Sequence, residues 1–270
     1  MTTRCLTAKS LLFVPGDREE RLPKALASAA DAVIVDLEDA VRPEDKPRAR
    51  RGVATFLGSQ PSGAVLLRIN AIDSEWYAED IALAGHSGVA GVVVPKADAA
   101  ALAWARADVD TPLWPLVESA QGLQDLAAMA RMPGVARMLL GTIDLGLELG
   151  LDEGQPGGRA MLDMARYHLV AASAAAGLAA PVDGVFADLG DAVGLTAAAA
   201  HARACGFGGM MCIHPGQTAT VNAAFAPTPE QADWARRVLE AAEGQSGAFR
   251  FEGRMIDTPV LARAARLLTA

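Results

Sequence analysis

The sequence predicts an α/β fold, a (β/α)8 TIM barrel with an additional C-terminal helix and a short tail. Three observations carry the prediction. Short apolar runs, often β-branched, alternate eight times with helix-length segments. The eight pairs occupy about 225 residues, an ordinary barrel length. No Pro/Gly/Ser-rich linker interrupts them. An open doubly wound sheet is the rival, but it usually has fewer strands and a glycine fingerprint after the first. Here that turn reads PGDREER, with no G-x-G-x-x-G.

Taken in order, the expected strands are 10–15 (SLLFVP), 32–38 (AVIVDLE), 64–69 (AVLLRI), 90–96 (AGVVVPK), 112–118 (PLWPLVE), 136–143 (ARMLLGTI), 181–187 (PVDGVFA) and 208–214 (GGMMCIH). Each is short and apolar on both alternating faces, as a strand must be between a barrel interior and an outer helix layer. The helices are expected over 18–29, 44–58, 75–86, 98–107, 121–131, 159–177, 190–205 and 216–224, most of them rich in Ala, Leu, Arg and Glu. Asp98 and Ser119 stand where N-caps belong. A further helix over 229–243 opens at PTPE, with proline in its first turn. Residues 1–228 then form the catalytic barrel. Residues 229–270 form a helix and lid-like tail, packed on the barrel or on a neighbouring subunit.

With 270 residues, 51% of them hydrophobic, the chain can bury a sizeable core. The net charge is −8, and no basic block or aromatic-basic stretch occurs, which disfavours nucleic acid as a partner. The three cysteines, Cys5, Cys205 and Cys212, make no C-x-x-C pair and fit a reducing, cytoplasmic compartment. MTTRCLTAKS lacks the apolar core of a signal peptide, and HLVAASAAAGLAA (168–180) is too short to span a bilayer. No membrane association is expected.

The predicted strands end in polar groups, and barrel enzymes build their sites at those ends. Strand 2 ends in Asp36, Glu38 and Asp39, strand 3 in Arg68 and Asn70, and strand 4 in Lys96. Glu118 closes strand 5, Asp144 follows strand 6, and His214 closes strand 8. Glu118 and Asp144 suit a hard cation such as magnesium, which takes one or two carboxylates and leaves other positions to water and substrate. They equally suit ordinary strand-end or capping duty. Arg68 needs an anionic partner, either a substrate carboxylate or a structural pair with Asp36 or Glu38. Arg18, Arg21 and Lys24 stand at helical spacing, where they form either a phosphate-binding patch or a solvated helix face. His86, His168 and His201 fall in predicted helices and read as surface or packing residues. His214 precedes Pro215 and reads as a hydrogen-bonded histidine or a base. Lys96 offers a Schiff base or a rim salt bridge. No H-x-x-x-H or C-x-x-C pattern offers zinc, and there is no nucleophile elbow.

Several stretches together resemble one family. They are SLLFVPGDREERLPKA, AVIVDLEDAV with Lys46 and Arg50, LLRIN, VVVPKAD, PLVESAQGL, GTIDLGLELGL, VDGVFADLGD, CIHPGQ and GRMIDTPVLARA. Their order is that of citrate lyase beta-subunit-like proteins, within the aldolase/citrate lyase group of citryl-CoA, malyl-CoA and citramalyl-CoA lyases. The resemblance covers about residues 10–268 and rests on the set of motifs, each weak alone.

The resemblance implies a magnesium- or manganese-dependent barrel, commonly a homotrimer. It implies metal ligands at Glu118 and Asp144, and catalytic and substrate-binding roles for Arg68 and Glu118. Arg18 and Lys24 match the region that meets CoA. Asp36 and Glu38 match acids behind the metal's waters and Arg68. Asp257 matches a catalytic acid on a C-terminal lid, which in malyl-CoA lyase relatives reaches a neighbouring subunit's site. The implied reaction cleaves a 3-hydroxyacyl-CoA thioester to acetyl-CoA and a 2-oxo acid. The alternatives are a CoA-independent pyruvate aldolase, a malyl-type thioesterase, and a non-catalytic or acyl-carrier-dependent subunit. Met210 and Met211 stand where the family often has a lysine before IHP, GTIDLG departs from the usual small-acidic pair, and the chain is shorter than the malyl-CoA lyases.

Overall fold

The eight apolar runs close into one parallel sheet. Its strands are β1 (Ser10–Pro15), β2 (Ala32–Asp36), β3 (Val65–Arg68), β4 (Val89–Val94), β5 (Leu113–Val117), β6 (Leu139–Leu140), β7 (Val182–Asp183) and β8 (Gly209–Cys212). They pair in sequence order, and β8 returns to β1 to seal the barrel. This computed structural model describes residues 3–59 and 65–269. Ala64, the expected start of the third strand, lies outside them. The chain divides into two compact units, Met1–Asn222 and Ala223–Ala270.

In the first unit the helices are α1 (Thr3–Leu6), α2 (Leu22–Leu26), α3 (Lys46–Gly58), α4 (Tyr77–Ile81), α5 (Ala99–Asp108), α6 (Ala120–Gln124), α7 (Leu126–Ala130), α8 (Thr142–Glu148), α9 (Pro156–Ala175) and α10 (Ala192–Ala204). The unit boundary falls inside α11 (Pro215–Phe225). Asp98 and Ser119 cap α5 and α6, accepting from Ala101 N and Gly122 N. Several expectations need correction: segment 75–86 is α4 followed by a 3-10 turn at Ala82–Gly85, the seventh run is strand only at Val182–Asp183, and three others differ further. Segment 18–29 is not one helix: a 3-10 turn at Glu19–Arg21 precedes α2, which Pro23 restarts. Segment 121–131 breaks at Asp125, whose carboxylate accepts from Ala99 N instead of continuing a helix. The sixth run does not reach 143, because the chain turns at Gly141 and Thr142 opens α8.

Alternation places Leu11, Ala32, Ile34, Leu66, Trp114, Leu116, Leu139 and Met211 in one packed cluster inside the barrel. Trp114 is fully buried, and a Cβ on Gly91 would stand 2.4 Å from its Nε1, so β4 needs a glycine where the indole crosses. Among the described residues no helix is long and apolar enough to cross a membrane.

The second unit contains α12 (Pro229–Ala242), the hairpin β9 (Phe249–Phe251) and β10 (Arg254–Ile256), and α13 (Thr258–Thr269). Thr228 and Gln231 form a reciprocal capping box on α12. Glu252 and Gly253 take φ of 46° and 78°, the left-handed pair that a two-residue hairpin turn requires. Ala235, Val238, Ile256 and Ala264 form its small core. The stretch after 243, expected as a tail, therefore has its own hairpin and helix.

Candidate active site at the barrel mouth

The inward series that fills the barrel turns polar at its last layer. Ala32 and Ile34 lead to Asp36, Leu66 to Arg68, and Trp114 and Leu116 to Glu118. Parallel pairing sets Pro15, Asp36 and Arg68 side by side. A cavity of 410 Å³ opens there, lined by Phe13, Asp36, Arg68, Glu118, Thr142 and Asp144 among others. Its size falls within the roughly 300–1,000 Å³ range of small-molecule sites.

Arg68 is held from three sides. Its Nε and Nη2 donate to Asp36 Oδ1 and Oδ2 at 2.7 and 2.5 Å, and its Nη1 lies 3.0 Å from Glu38 Oε2. The guanidinium also stands 4.8 Å from the centre of the Phe13 ring. Both Asp36 and Glu38 are thus structural partners of Arg68, and the arginine still faces the cavity. Burial works against its charge, and Asp36, Glu38 and Glu118 more than reverse that, so its pKa lies above the ordinary value. Glu38 moves the other way. Burial outweighs the pull of Arg68 and pushes its carboxyl up to about 7, with Asp39 and Asp36 adding repulsion.

Glu118 is buried, and its Oε1 accepts the Lys96 backbone N–H at 2.8 Å. Lys96 has φ of 47°, which aims that N–H at the carboxylate. A Cβ at Gly141 would lie 2.5 Å from Glu118 Oε2, so the glycine leaves the carboxylate its space. Burial pushes Glu118 up to about 8; the Lys96 N–H and Arg68 oppose this, while Glu38 and Asp144 reinforce it. Asp144 is half-buried beside the same cavity, and among the described residues its side chain takes no hydrogen bond or ion pair.

Asp36, Glu38, Asp39, Glu118 and Asp144 meet Arg68, Lys96 and, deeper, Lys46. Five carboxyl groups crowd three cations, and that crowding, with burial, favours the protonated forms of Glu38 and Glu118 until a further cation relieves it. The free Asp144 carboxylate, the buried Glu118 and this all-oxygen donor set fit one small hard dication.

Beneath the mouth runs a polar network that the sequence reading did not identify. Lys46 Nζ donates to the carbonyls of Leu37 and Glu38 and to Asn70 Oδ1, at 2.9, 2.9 and 2.6 Å. Asn70 donates to Leu37 O and to Asp80, which Arg50 in turn holds at 2.8 Å. The network ties the end of β2 to the end of β3, and so sets Glu38 beside Arg68. Lys46 and Arg50 stand four apart after DLEDAV, but their partners are distant in sequence.

Other expected residues stand elsewhere. Arg18 and Lys24 are exposed after β1 and do not line the cavity. Arg18 precedes the 3-10 turn and does not share a helix face with Lys24. His214 lies past the end of β8, with Nδ1 accepting from Gly216 N at 3.0 Å, while Met211 and Ile213 face the cavity. Lys96 Nζ is 3.7 Å from Glu38 Oε1. Burial lowers its pKa, but Glu38, Asp39, Glu118 and Asp144 together hold it above the ordinary value, which disfavours the neutral amine a Schiff base needs. Asp257 stands just before α13 in the second unit, where Oδ1 accepts from Val260 N at 3.3 Å.

The chain has clear relatives. A model of the HpcH/HpaI aldolase/citrate lyase family matches residues 9–215. A citrate lyase subunit beta-like protein of Mycobacterium tuberculosis (strain H37Rv) is 40% identical over 262 residues, covering 95% of this chain and 93% of that one. A (3S)-malyl-CoA thioesterase of Cereibacter sphaeroides (strain ATCC 17023) is 36% identical over 269 residues, covering 96% and 93%. The crystal structure of protein CitE from Mycobacterium tuberculosis in complex with magnesium, acetoacetate and coenzyme A matches with a TM-score of 0.86, at 36% identity over 98% of each chain.

Proposed function

The chain belongs to the HpcH/HpaI aldolase/citrate lyase family, and from that premise we propose that it is a magnesium-dependent carbon–carbon lyase. It cleaves a small carboxylated 3-hydroxyacyl-CoA thioester of the citryl-, malyl- or citramalyl-CoA type. The products are acetyl-CoA and a 2-oxo acid. The observation that carries this reading is the meeting of Arg68, Glu118 and Asp144 on one 410 Å³ cavity. The magnesium complex of the related CitE supports the choice of ion.

Glu118 and Asp144 would hold magnesium, or manganese in its place. When bound, the ion supplies Lewis acidity toward the substrate's oxygens. Asp36 fixes two N–H groups of Arg68, which directs the rest of the guanidinium at the cavity. There Arg68 binds the substrate carboxylate and stabilises the oxygen on which charge grows. Phe13, Leu116 and Met211 provide an apolar wall that limits water. As the bond breaks, the 3-hydroxyl gives its proton to solvent water and becomes the oxo group, while the bond's electron pair stays on the acetyl carbon, which takes a proton in turn. Asp257 is the acid we assign to that proton, on a lid formed by residues 229–270 and in the trimer that the family resemblance implies. Arg18 and Lys24 are assigned to the CoA phosphates.

A second reading is thioester hydrolysis, supported by the (3S)-malyl-CoA thioesterase relative. One experiment separates the two. Purified protein is incubated with magnesium and malyl-, citramalyl-, citryl- or 3-hydroxy-3-methylglutaryl-CoA, and products are followed by mass spectrometry. Acetyl-CoA with the matching 2-oxo acid, lost with EDTA or in Glu118→Ala, is the expected result. Free CoA with the intact hydroxy acid would establish hydrolysis instead. No turnover of any ester would sink both readings.

A further inference from the structure

We propose a second, chemically different metal site on the outer helical layer, where Asp163 of α9 and His201 and Cys205 of α10 and its cap bind a zinc-class divalent ion. His201 and Cys205 are four residues apart and share one face of α10, while α9 supplies Asp163 from alongside. Asp163 Oδ1 lies 2.8 Å from His201 Nε2, and Cys205 Sγ lies 3.6 Å from the same nitrogen. All three donor atoms fall within 4.8 Å of one another.

The shared ring nitrogen is the informative detail. A cysteine–histidine–acid nucleophile would use the two ring nitrogens separately, one for the thiol and one for the acid. Here both partners approach Nε2, and one N–H cannot point at both. The three donor atoms lie within 4.8 Å of one another, and a cation placed among them takes one bond from each.

Space agrees with this, and the charges close once the ion displaces the thiol proton, which burial and Asp163 hold on Cys205 in the metal-free protein. Arg166 reaches Asp163 Oδ1 at 2.9 Å, but its Nε is committed to the buried Asp183 at 3.0 and 3.2 Å. The Arg166–Asp183 pair is neutral. Asp163 and a Cys205 thiolate then balance one dication, and the thiol proton is released to solvent. A cavity of 560 Å³, lined by Asp163, His201, Arg159 and Thr142 among others, adjoins the cluster. It gives room for water as the fourth ligand of a tetrahedral ion.

The donor chemistry also separates the two sites. Sulfur, nitrogen and oxygen together select zinc or cobalt, whereas the all-oxygen mouth selects magnesium. Scanning the sequence for histidine or cysteine pairs did not reveal the cluster, because one ligand comes from a different helix and the His-x-x-x-Cys pair mixes two residue types.

The test is Co²⁺ titration of the full-length protein in millimolar magnesium, read by absorption. One equivalent should give a thiolate-to-cobalt charge-transfer band in the near ultraviolet, with the intense visible bands of a tetrahedral ion. The near-ultraviolet band should vanish in Cys205→Ala, persist in Cys212→Ala, and need at least about tenfold more metal in His201→Gln. Zn²⁺ should displace the cobalt and raise the Tm of wild type but not of Cys205→Ala. Circular dichroism confirms that each variant is folded, and Cys205→Ser replaces any that is not. No band in wild type, or a band that survives in both Cys205 variants, would overturn the proposal. Because the readout is cobalt absorption, the result does not depend on whether the mouth is a lyase.

Discussion

Glu38 stands between opposing forces, and replacing it by glutamine measures which one wins. Burial disfavours its charge and Arg68 favours it; burial prevails and carries the carboxyl from 4.5 to about 7. The reason lies in the geometry. Arg68 commits Nε and Nη2 to Asp36 and offers Glu38 a single 3.0 Å approach from Nη1, so one guanidinium is shared by two buried acids. The folded value lies above the unfolded one, so the unfolded chain releases this proton first as pH rises. Stability therefore falls from about pH 4.5 and levels off above about pH 7. At about 1.4 kcal/mol per pH unit, the ceiling is on the order of 3 kcal/mol. Glu38→Gln removes this titration and little volume. Urea unfolding of both proteins without magnesium, at about pH 5, 6, 7 and 8, gives the difference directly. The variant should gain on wild type by up to about 3 kcal/mol and then stay level. A variant that loses ground as pH rises would mean that Arg68 outweighs burial, and the shared-guanidinium account would be wrong.

Three further outcomes are expected. Glu118→Gln keeps an acceptor for the Lys96 N–H but loses the charge that would hold magnesium, so millimolar Mg²⁺ should raise the Tm of wild type and leave the variant unchanged; equal shifts would place the ion elsewhere. Gly141→Ala drives a methyl to within 2.5 Å of Glu118 Oε2, so kcat should drop on the order of 10²-fold while the fold persists; a fall under about threefold would show that the carboxylate has room to move. Gly91→Ala meets the Trp114 indole 2.4 Å away inside the barrel and should lower stability by about 1–3 kcal/mol in urea, against no change if the indole can shift freely.

The barrel was legible because its signals are local. SLLFVP and AVIVD are apolar on both faces, and β1 and β2 follow them. Asp36, Arg68 and Glu118 were legible for a related reason, since each ends an inward-facing series. What stayed hidden depends on distant partners. Nothing near Lys46 announces Asn70, and nothing near Gly141 announces the Glu118 carboxylate that fills the space of its missing side chain. The short sixth strand was overread because TI is as strand-like as it is helical, and only the turn at Gly141 decides. The Glu252–Gly253 hairpin carries a local signal, a glycine between the short runs FRF and RMI.

The packed interior makes the mouth a cup with a sealed floor. Leu11, Ile34, Leu66, Trp114 and Leu139 are fully buried beneath the cavity and fill the barrel axis with packed side chains. On the proposed lyase reaction, a substrate cut in two inside this cup would send both pieces out by the mouth. If Arg68 clasps one fragment at the floor, as proposed, departure would be sequential, with that fragment waiting for the one above it. In the reverse direction the same geometry would favour the opposite order of loading, so the architecture of the floor, apart from any chemistry at the rim, would govern the kinetic order of the two partners.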